Sequence, residues 1–339
     1  MKQALPILRF LADQAARGKG TVLVTLTDVT GSAARASGEH MAVAEDGTAV
    51  GSFSGGCVEA AVIAEALDVL AARQGRLVRF GAGSRYIDIR LPCGGGIDLL
   101  FTPQPAIDQM KQAIAMLEER RPVTLRLTEG GAFVATPPAR MDNAGWLGGE
   151  FRVRHDPDLR VAILGHGAEP MALHDAAAAY GAQTLILTPQ SSLADEASSR
   201  GIEAHLLRTL GPSEHLTIDR WTAVVTLFHD HDWETALLLQ AIDGEPFFMG
   251  AMGSRKTHEE RQRRLLAAGG ERTAVERIIG PVGLLAASRD PRTLALSVMA
   301  QVVQAYEAAA ATRQVGWSVS GVHRFIERQS ARDCGPRAL

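Results

Sequence analysis

A run of glycines that ends on a cysteine, Gly51-Ser52-Phe53-Ser54-Gly55-Gly56-Cys57-Val58-Glu59, constrains this chain more than any other stretch. The residues after it, Ala60 to Arg73, are mostly helix formers with apolar positions at Val62, Ile63, Ala66, Leu67 and Leu70. A helix is therefore expected to begin near Gly55 or Gly56. That start puts Cys57 in the first turn, where unpaired N–H groups and the positive end of the helix dipole favour an anion and lower a thiol's pKa. Gly55 and Gly56 also let a ligand approach the backbone closely. Two readings stand side by side: a reactive thiol on a ligand loop, or a small buried hydrophobe behind a tight turn.

A second site of the same kind follows. Leu91-Pro92-Cys93-Gly94-Gly95-Gly96 again sets a cysteine beside glycines, and a three-glycine run is costly in chain entropy unless the backbone needs it. Cys57 and Cys93 facing one cleft would make a redox pair, a sulfur relay or two soft ligands. Their spacing fits no zinc pattern, and two cysteines are too few for a closed zinc site, so no metal is assigned.

At 339 residues the chain has room for two domains. The formal net charge of −3 argues against a general nucleic-acid binder. No apolar run approaches the roughly 20 residues of a membrane span. The start, Met1 to Pro6, lacks a long apolar signal core, so a cytoplasmic protein is expected. With only three cysteines, two of them in glycine loops, a disulfide framework is not expected.

In chain order, a helix is expected over Gln3–Arg17 and a buried strand over Thr21–Asp28. The polar turn Thr30 to Arg35 carries an arginine whose planar fork suits a phosphate or carboxylate; a solvated loop arginine reads equally well there. Hairpins are expected over 41–51 and 123–135, strands over Arg76–Phe80, Tyr86–Leu91 and Ile97–Thr102, and a helix over Ala106–Arg120. These make a small α+β domain, 1–136. Residues 137–158, rich in Pro and Gly, read as a linker with one short strand at Phe151–Arg154.

From Arg160 the pattern changes to strand, glycine turn (Gly165-His166-Gly167), helix and strand. This is the opening of a doubly wound parallel sheet, placed at 159–315, with a tail at 316–339. Pro170 takes the third glycine position of a dinucleotide turn, and Thr188-Pro189-Gln190 stands where an acid should hold the ribose. Tight NAD(P) binding is therefore not expected. Phe228-His229-Asp230-His231-Asp232 falls at a strand's carboxyl end, where such sheets place ligands; capped and solvated residues are the plainer alternative. Gly253-Ser254-Arg255-Lys256 reads as a phosphate site at a helix start. The rest of that helix, Glu259 to Arg264, reads as a solvated or partner-facing surface. The last helix, Pro291 to Ala311, has a stripe at Leu294, Val298, Gln301, Val302 and Ala305 that fits core better than interface.

Taken together, Gly31-Ser32 with Arg35, the Gly51–Glu59 loop, Pro92-Cys93-Gly94-Gly95, Gly250-Ala251-Met252-Gly253-Ser254-Arg255 and Gly280-Pro281-Val282-Gly283-Leu284 resemble the xanthine dehydrogenase accessory protein (XdhC/CoxI) family. The likeness runs from Thr30 to about Val303, departing at Ala34, Pro170 and Thr188. The resemblance implies a small N-terminal domain, a Rossmann-like domain and a homodimeric cytoplasmic chaperone. Its cargo would be the molybdenum cofactor, as molybdopterin or a dinucleotide form, bound transiently. Its partners would be a cysteine desulfurase, for replacing an oxo ligand by sulfur, and a molybdenum hydroxylase apoenzyme. On this reading Cys57 and Cys93 are the reactive residues. The cofactor contacts are Arg35, Ser54, Gly55, Gly56, Gly94, Gly95, Gly165, Gly167, His229, Gly253, Ser254 and Arg255. A nicotinamide-dependent oxidoreductase with a reactive cysteine, and a plain redox or metal-binding module, are the alternatives.

Overall fold

The computed structural model describes residues 4–31, 35–54, 56, 58–84, 94–135, 144–285, 288 and 290–312. The chain divides into two compact units, the first ending at Pro157 and the second running from Asp158 to Thr312.

The first unit contains α1 (Ala4–Ala16), β1 (Thr21–Thr30), β2 (His40–Ala44), β3 (Ala49–Val50), α2 (Glu59–Ala72), β4 (Arg76–Gly81), β5 (Gly96–Pro103), α3 (Ile107–Glu118), β6 (Val123–Thr128), β7 (Gly131–Val134), β8 (Gly145–Leu147) and β9 (Glu150–His155). Among the described residues, an antiparallel sheet has the order β3-β2-β1-β5-β4 and a second has β7-β6-β9-β8. Strand alternation sorts the first sheet's side chains. Val22, Val24, Leu99 and Phe101 face α2 through Val62, Ala66 and Val69. Leu23 and Leu100 face α1, α3 and the second sheet.

Two features differ from the sequence reading. The helix after the glycine loop starts at Glu59, with Val58 at its N-cap, and not at Gly55 or Gly56. The stretch read as a linker contains two strands. β8 and β9 pair antiparallel, Leu147 opposite Glu150, around Gly148-Gly149, both at positive φ. A two-residue turn with φ positive at both positions is the hairpin geometry that glycine permits. The expected strand over Tyr86–Leu91 and the tail 316–339 lie outside the described residues.

The second unit contains β10 (Arg160–Gly165), α4 (Glu169–Tyr180), β11 (Gln183–Thr188), α5 (Ser191–Ser199), β12 (Ala204–Leu206), β13 (Thr222–Leu227), α6 (Glu234–Asp243), β14 (Phe248–Ala251), α7 (Arg255–Ala267), α8 (Arg272–Glu276) and α9 (Pro291–Thr312). Its sheet is parallel, in the order β12-β11-β10-β13-β14. Val161, Ile163, Val225 and Leu227 pack with α4, α5 and α9. Ala162, Leu164 and Val224 pack with α6, α7 and α8. Helices on both faces make this a Rossmann-like doubly wound fold. The stripe on α9 is core: Val298 and Val302 are fully buried, and Gln301 Oε1 accepts from the Gly283 N–H at 2.7 Å. Among the described residues no helix is long and apolar enough to cross a membrane.

Candidate functional site

The register of the first sheet gathers its loops. Thr25 lies opposite His40, Ala42 opposite Val50, Thr30 opposite Gly96, and Gly81 opposite Gly96. The end of β1, the start of β2, the end of β3, the start of β5 and the end of β4 therefore share one end of the sheet. The segments holding Arg35, Gly51–Val58 and Gly94–Gly95 all leave from that end. From β3 to β5 is three inter-strand steps of about 4.8 Å, or about 14 Å. Close approach is built in: a Cβ on Gly31 would stand 3.2 Å from Gly95 Cα. Arg79 ties the same corner, donating to Asp98 at 2.9 Å, to the Thr30 hydroxyl at 2.8 Å and to the Ala82 carbonyl at 2.7 Å. Burial pushes the Asp98 carboxyl up, against the pull of Arg79 and with a push from Asp28.

A cavity of about 290 Å³ opens at this end, lined by Arg35, Glu39, His40, Gly51, Ser52 and His155 among others. That size is close to the lower end of small-molecule sites, about 300 Å³. Arg35 stands on its rim, exposed, 3.6 Å from the Glu39 carboxylate. His40 and His155 are buried in its floor with their Nε2 atoms 2.9 Å apart, and the Thr25 hydroxyl is 2.8 Å from His40 Nδ1.

The glycine loop is not an open cradle. Oε1 of Glu59 accepts from the Ser52 hydroxyl (2.7 Å), Phe53 N–H (3.0 Å) and Ser54 N–H (2.8 Å). Oε2 accepts from the Ser54 hydroxyl (2.8 Å), Gly56 N–H (2.7 Å) and Val58 N–H (3.2 Å). Burial opposes the charge, but the bonds from Ser54 and Ser52 outweigh it and hold Glu59 far below the usual carboxylate range. The anion that a helix start favours is the helix's own first residue. Gly94 is exposed and Gly95 buried. Gly55, Cys57 and Cys93 lie outside the described residues.

The Rossmann-like turn repeats the arrangement. Gly165 touches β13 so closely that a Cβ would stand 2.7 Å from the Leu227 carbonyl. The Gly167 N–H, read as a phosphate donor, is instead given to Gln190 Oε1 at 3.1 Å. Glu169, the first residue of α4, folds back so that Oε2 would be 2.8 Å from a Cβ on Gly167. Its Oε1 lies 3.5 Å from His229 Nε2. The His166 ring packs 5.8 Å from Phe228 and 5.5 Å from His229. A pyrophosphate at this turn would meet a carboxylate. At the ribose position, Thr188 is buried and its hydroxyl accepts from Gln190 N–H at 3.1 Å.

At α7, Ser254 is an N-cap: its hydroxyl accepts from Thr257 N–H at 3.1 Å and lies 2.9 Å from the Thr257 hydroxyl. Arg255 and Lys256 are exposed beside it, and Gly253 precedes it at positive φ. Downstream, the surface reading of Glu259–Arg264 fails at Arg261, which is buried against the Glu234 carboxylate. The signal was its place one turn before the buried Leu265. Burial, then the charge of Arg261, push the His258 imidazole down. His231 Nδ1 lies 3.1 Å from Glu234 and Asp232 pairs with Arg264 at 2.9 Å. Among the described residues no group of three His, Cys, Asp or Glu could hold a metal.

The family described as "XdhC and CoxI family" matches residues 14–81, and the "XdhC Rossmann domain" matches 161–302. The chain is 37% identical over 296 residues to the molybdenum cofactor insertion chaperone PaoD of Escherichia coli (strain K12), covering 87% of this chain and 86% of that protein. This chain belongs to the XdhC and CoxI family. The fold is also that of a xanthine dehydrogenase crystal structure from Bacillus halodurans, with a TM-score of 0.69, 22% identity, and coverage of 89% of this chain and 96% of that one. The family match to 14–81 spans Arg35 and the Glu59 cage, and the match to 161–302 spans the turn under Glu169 and the α7 start.

Proposed function

We propose that this chain is a molybdenum cofactor insertion chaperone whose cargo docks at the glycine-rich end of the N-terminal sheet. One observation carries the reading: the Arg35 turn and both glycine-cysteine segments leave the same end of one sheet, beside a cavity. Kinship at 37% identity to a chaperone of that description supports it. Arg35 would take an anionic group of the cargo, molybdopterin or its dinucleotide form, by a charge-assisted fork. Glycines at 55, 56, 94 and 95, with Ser54, would let the cargo approach the backbone.

The finer parts belong to the same proposal. Cys57 and Cys93, as soft thiolates, would serve sulfuration of the cargo, with a cysteine desulfurase as the sulfur source. The client would be a molybdenum hydroxylase apoenzyme of the xanthine dehydrogenase type, in the cytoplasm. Binding would be transient and the chaperone homodimeric, built from domains 1–136 and 159–315. His229, Gly253, Ser254 and Arg255 would serve a further anionic contact. Gly165 and Gly167 would belong to that contact, with Gln190 and Glu169, which now stand against Gly167, moving aside for the cargo.

Purification from a host that makes molybdopterin tests the reading. The wild-type protein should carry pterin and molybdenum. Arg35→Ala should lower retention by one to two decades, the worth of a charged contact of about 1.5–3 kcal/mol. Absence of pterin from the wild type would overturn it.

A further inference from the structure

Several elements of the N-terminal unit close on the cavity beside the glycine loops. Its floor is the buried pair His40 and His155. The hydrogen bonds between Thr25 and His40 and between His40 and His155 run from β1 through β2 to β9. They tie the two sheets together, so the floor stands formed without a ligand. Two imidazoles that meet nitrogen to nitrogen hold one proton between them. One wall is Gly51, at positive φ, where a Cβ would stand 2.6 Å from the His40 carbonyl oxygen and 3.0 Å from Ile7 Cδ1. Another is the first turn of α1, through Ala4, Pro6 and Ile7. The first N–H groups of a helix have no partner within it and carry its positive end, and no acidic residue stands in this first turn. Among the described residues of the lining, the charged side chains are Arg35 and Glu39. The Ser52 hydroxyl on the same lining is already given to Glu59.

We propose that this cavity is an oxyanion site that takes a phosphate of the cargo, between the Arg35 guanidinium and the first turn of α1, over the two histidines. The inference rests on the reading of the chain as a molybdenum cofactor chaperone and gives its docking end a defined subsite. Molybdopterin carries a phosphate monoester and its dinucleotide forms a pyrophosphate, so both offer the same oxygens. Charge sets the sign of the ligand. Glu39 cancels Arg35, and the helix end then leaves an excess of about half a positive charge. The Arg35–Glu39 contact is long, at 3.6 Å, and Arg35 is exposed; such a pair contributes little. A phosphate accepts two parallel N–H bonds from one guanidinium and so displaces Glu39. Glu39 stands four residues after Arg35 and can pair with it again when the phosphate leaves, which suits a cargo held transiently.

The test is calorimetry of inorganic phosphate and of pyrophosphate, at constant ionic strength, with the full chain made in a host that cannot synthesise molybdopterin. The expected result is saturable millimolar binding. A preference for phosphate identifies molybdopterin itself as the better fit, and a preference for pyrophosphate the dinucleotide form. Arg35→Gln should weaken binding at least about tenfold, or about 1.4 kcal/mol. Pro6→Glu is the second variant. Pro6 is exposed at the cavity's edge. A carboxylate in the first turn favours the helix and repels an anion. The thermal unfolding midpoint of Pro6→Glu should therefore hold or rise while its phosphate affinity falls. A wild type that binds neither anion overturns the proposal, as does wild-type affinity in either folded variant. Pterin does not enter this measurement. A wild type that binds phosphate here but carries no pterin from a competent host sinks the cargo reading alone.

Discussion

Arg261 and Glu234 meet as a two-point ion pair, Nε to Oε2 at 2.8 Å and Nη2 to Oε1 at 3.2 Å, with both side chains almost fully buried. The Thr226 hydroxyl donates to the same carboxylate at 3.0 Å, and Arg261 Nη2 donates to the Met252 carbonyl at 2.6 Å. The pair thereby joins the end of β13, the start of α6 and the segment leading into α7. Breaking one half should cost more than removing both. Arg261→Met strands a buried carboxylate and should destabilise by about 3–5 kcal/mol. Adding Glu234→Gln should recover part of that. Urea unfolding of the two variants decides; equal losses would mean the pair is not coupled.

Glu59 gives stability with a defined pH sign. Its carboxyl is held below its ordinary value of 4.5, so the folded state binds that proton more weakly than the unfolded chain does. The contribution is complete above that ordinary value. It is lost as pH falls from there toward the folded value. Glu59→Gln should be less stable than wild type at neutral pH, and the gap should narrow on acidification. Unfolding midpoints from about pH 6 to about pH 3 would read this. A gap constant across that range would contradict it.

Glu169 sets the expectation for nucleotides. A phosphate placed over Gly167 would sit within a few ångströms of that carboxylate, and like charges about 4 Å apart near a protein surface repel by about 4 kcal/mol at most. Calorimetry should detect no submillimolar NAD(P)H binding to the wild type. Glu169→Gln should improve pyrophosphate binding at least about tenfold, or about 1.4 kcal/mol. Micromolar NADH binding indifferent to this change would favour the oxidoreductase alternative.

Much of the fold was legible because burial follows period. Leu23 falls between Val22 and Val24 on the opposite face, and the strand, glycine turn, helix, strand run from Arg160 gives the parallel sheet directly. In the stretch that reads as a linker, the place of the glycines decides and not their number: Gly148-Gly149 between Trp146-Leu147 and Glu150-Phe151 is itself a hairpin signal. The site was legible in its segments and not in its contacts. A glutamate at a helix start is already favoured by the dipole, so nothing in the letters Glu59 or Glu169 says that the side chain folds back over a glycine turn. That depends on backbone angles the sequence permits but does not announce. The same holds for His40 and His155, 115 positions apart and joined through a hydrogen bond between two sheets.

The proposed homodimer has a candidate surface in three exposed leucines. Leu284, Leu285 and Leu296 are each more than half exposed. They are held close together: Leu285 N–H donates to the Ser297 hydroxyl at 2.7 Å and Leu284 N–H to the Ser297 carbonyl at 3.4 Å, and Leu296 precedes Ser297 on the side of α9 away from its core stripe. Burying three leucines gains about 1.5–3 kcal/mol each relative to leaving them in water, while single exposed leucines need no explanation. Leu285→Asp with Leu296→Asp should leave unfolding unchanged, because neither side chain supports the core. Light scattering at micromolar concentration should then give a dimer for the wild type and a monomer for the double variant. A wild-type monomer would remove the homodimer, and a variant that stays dimeric would move the interface elsewhere on the molecule.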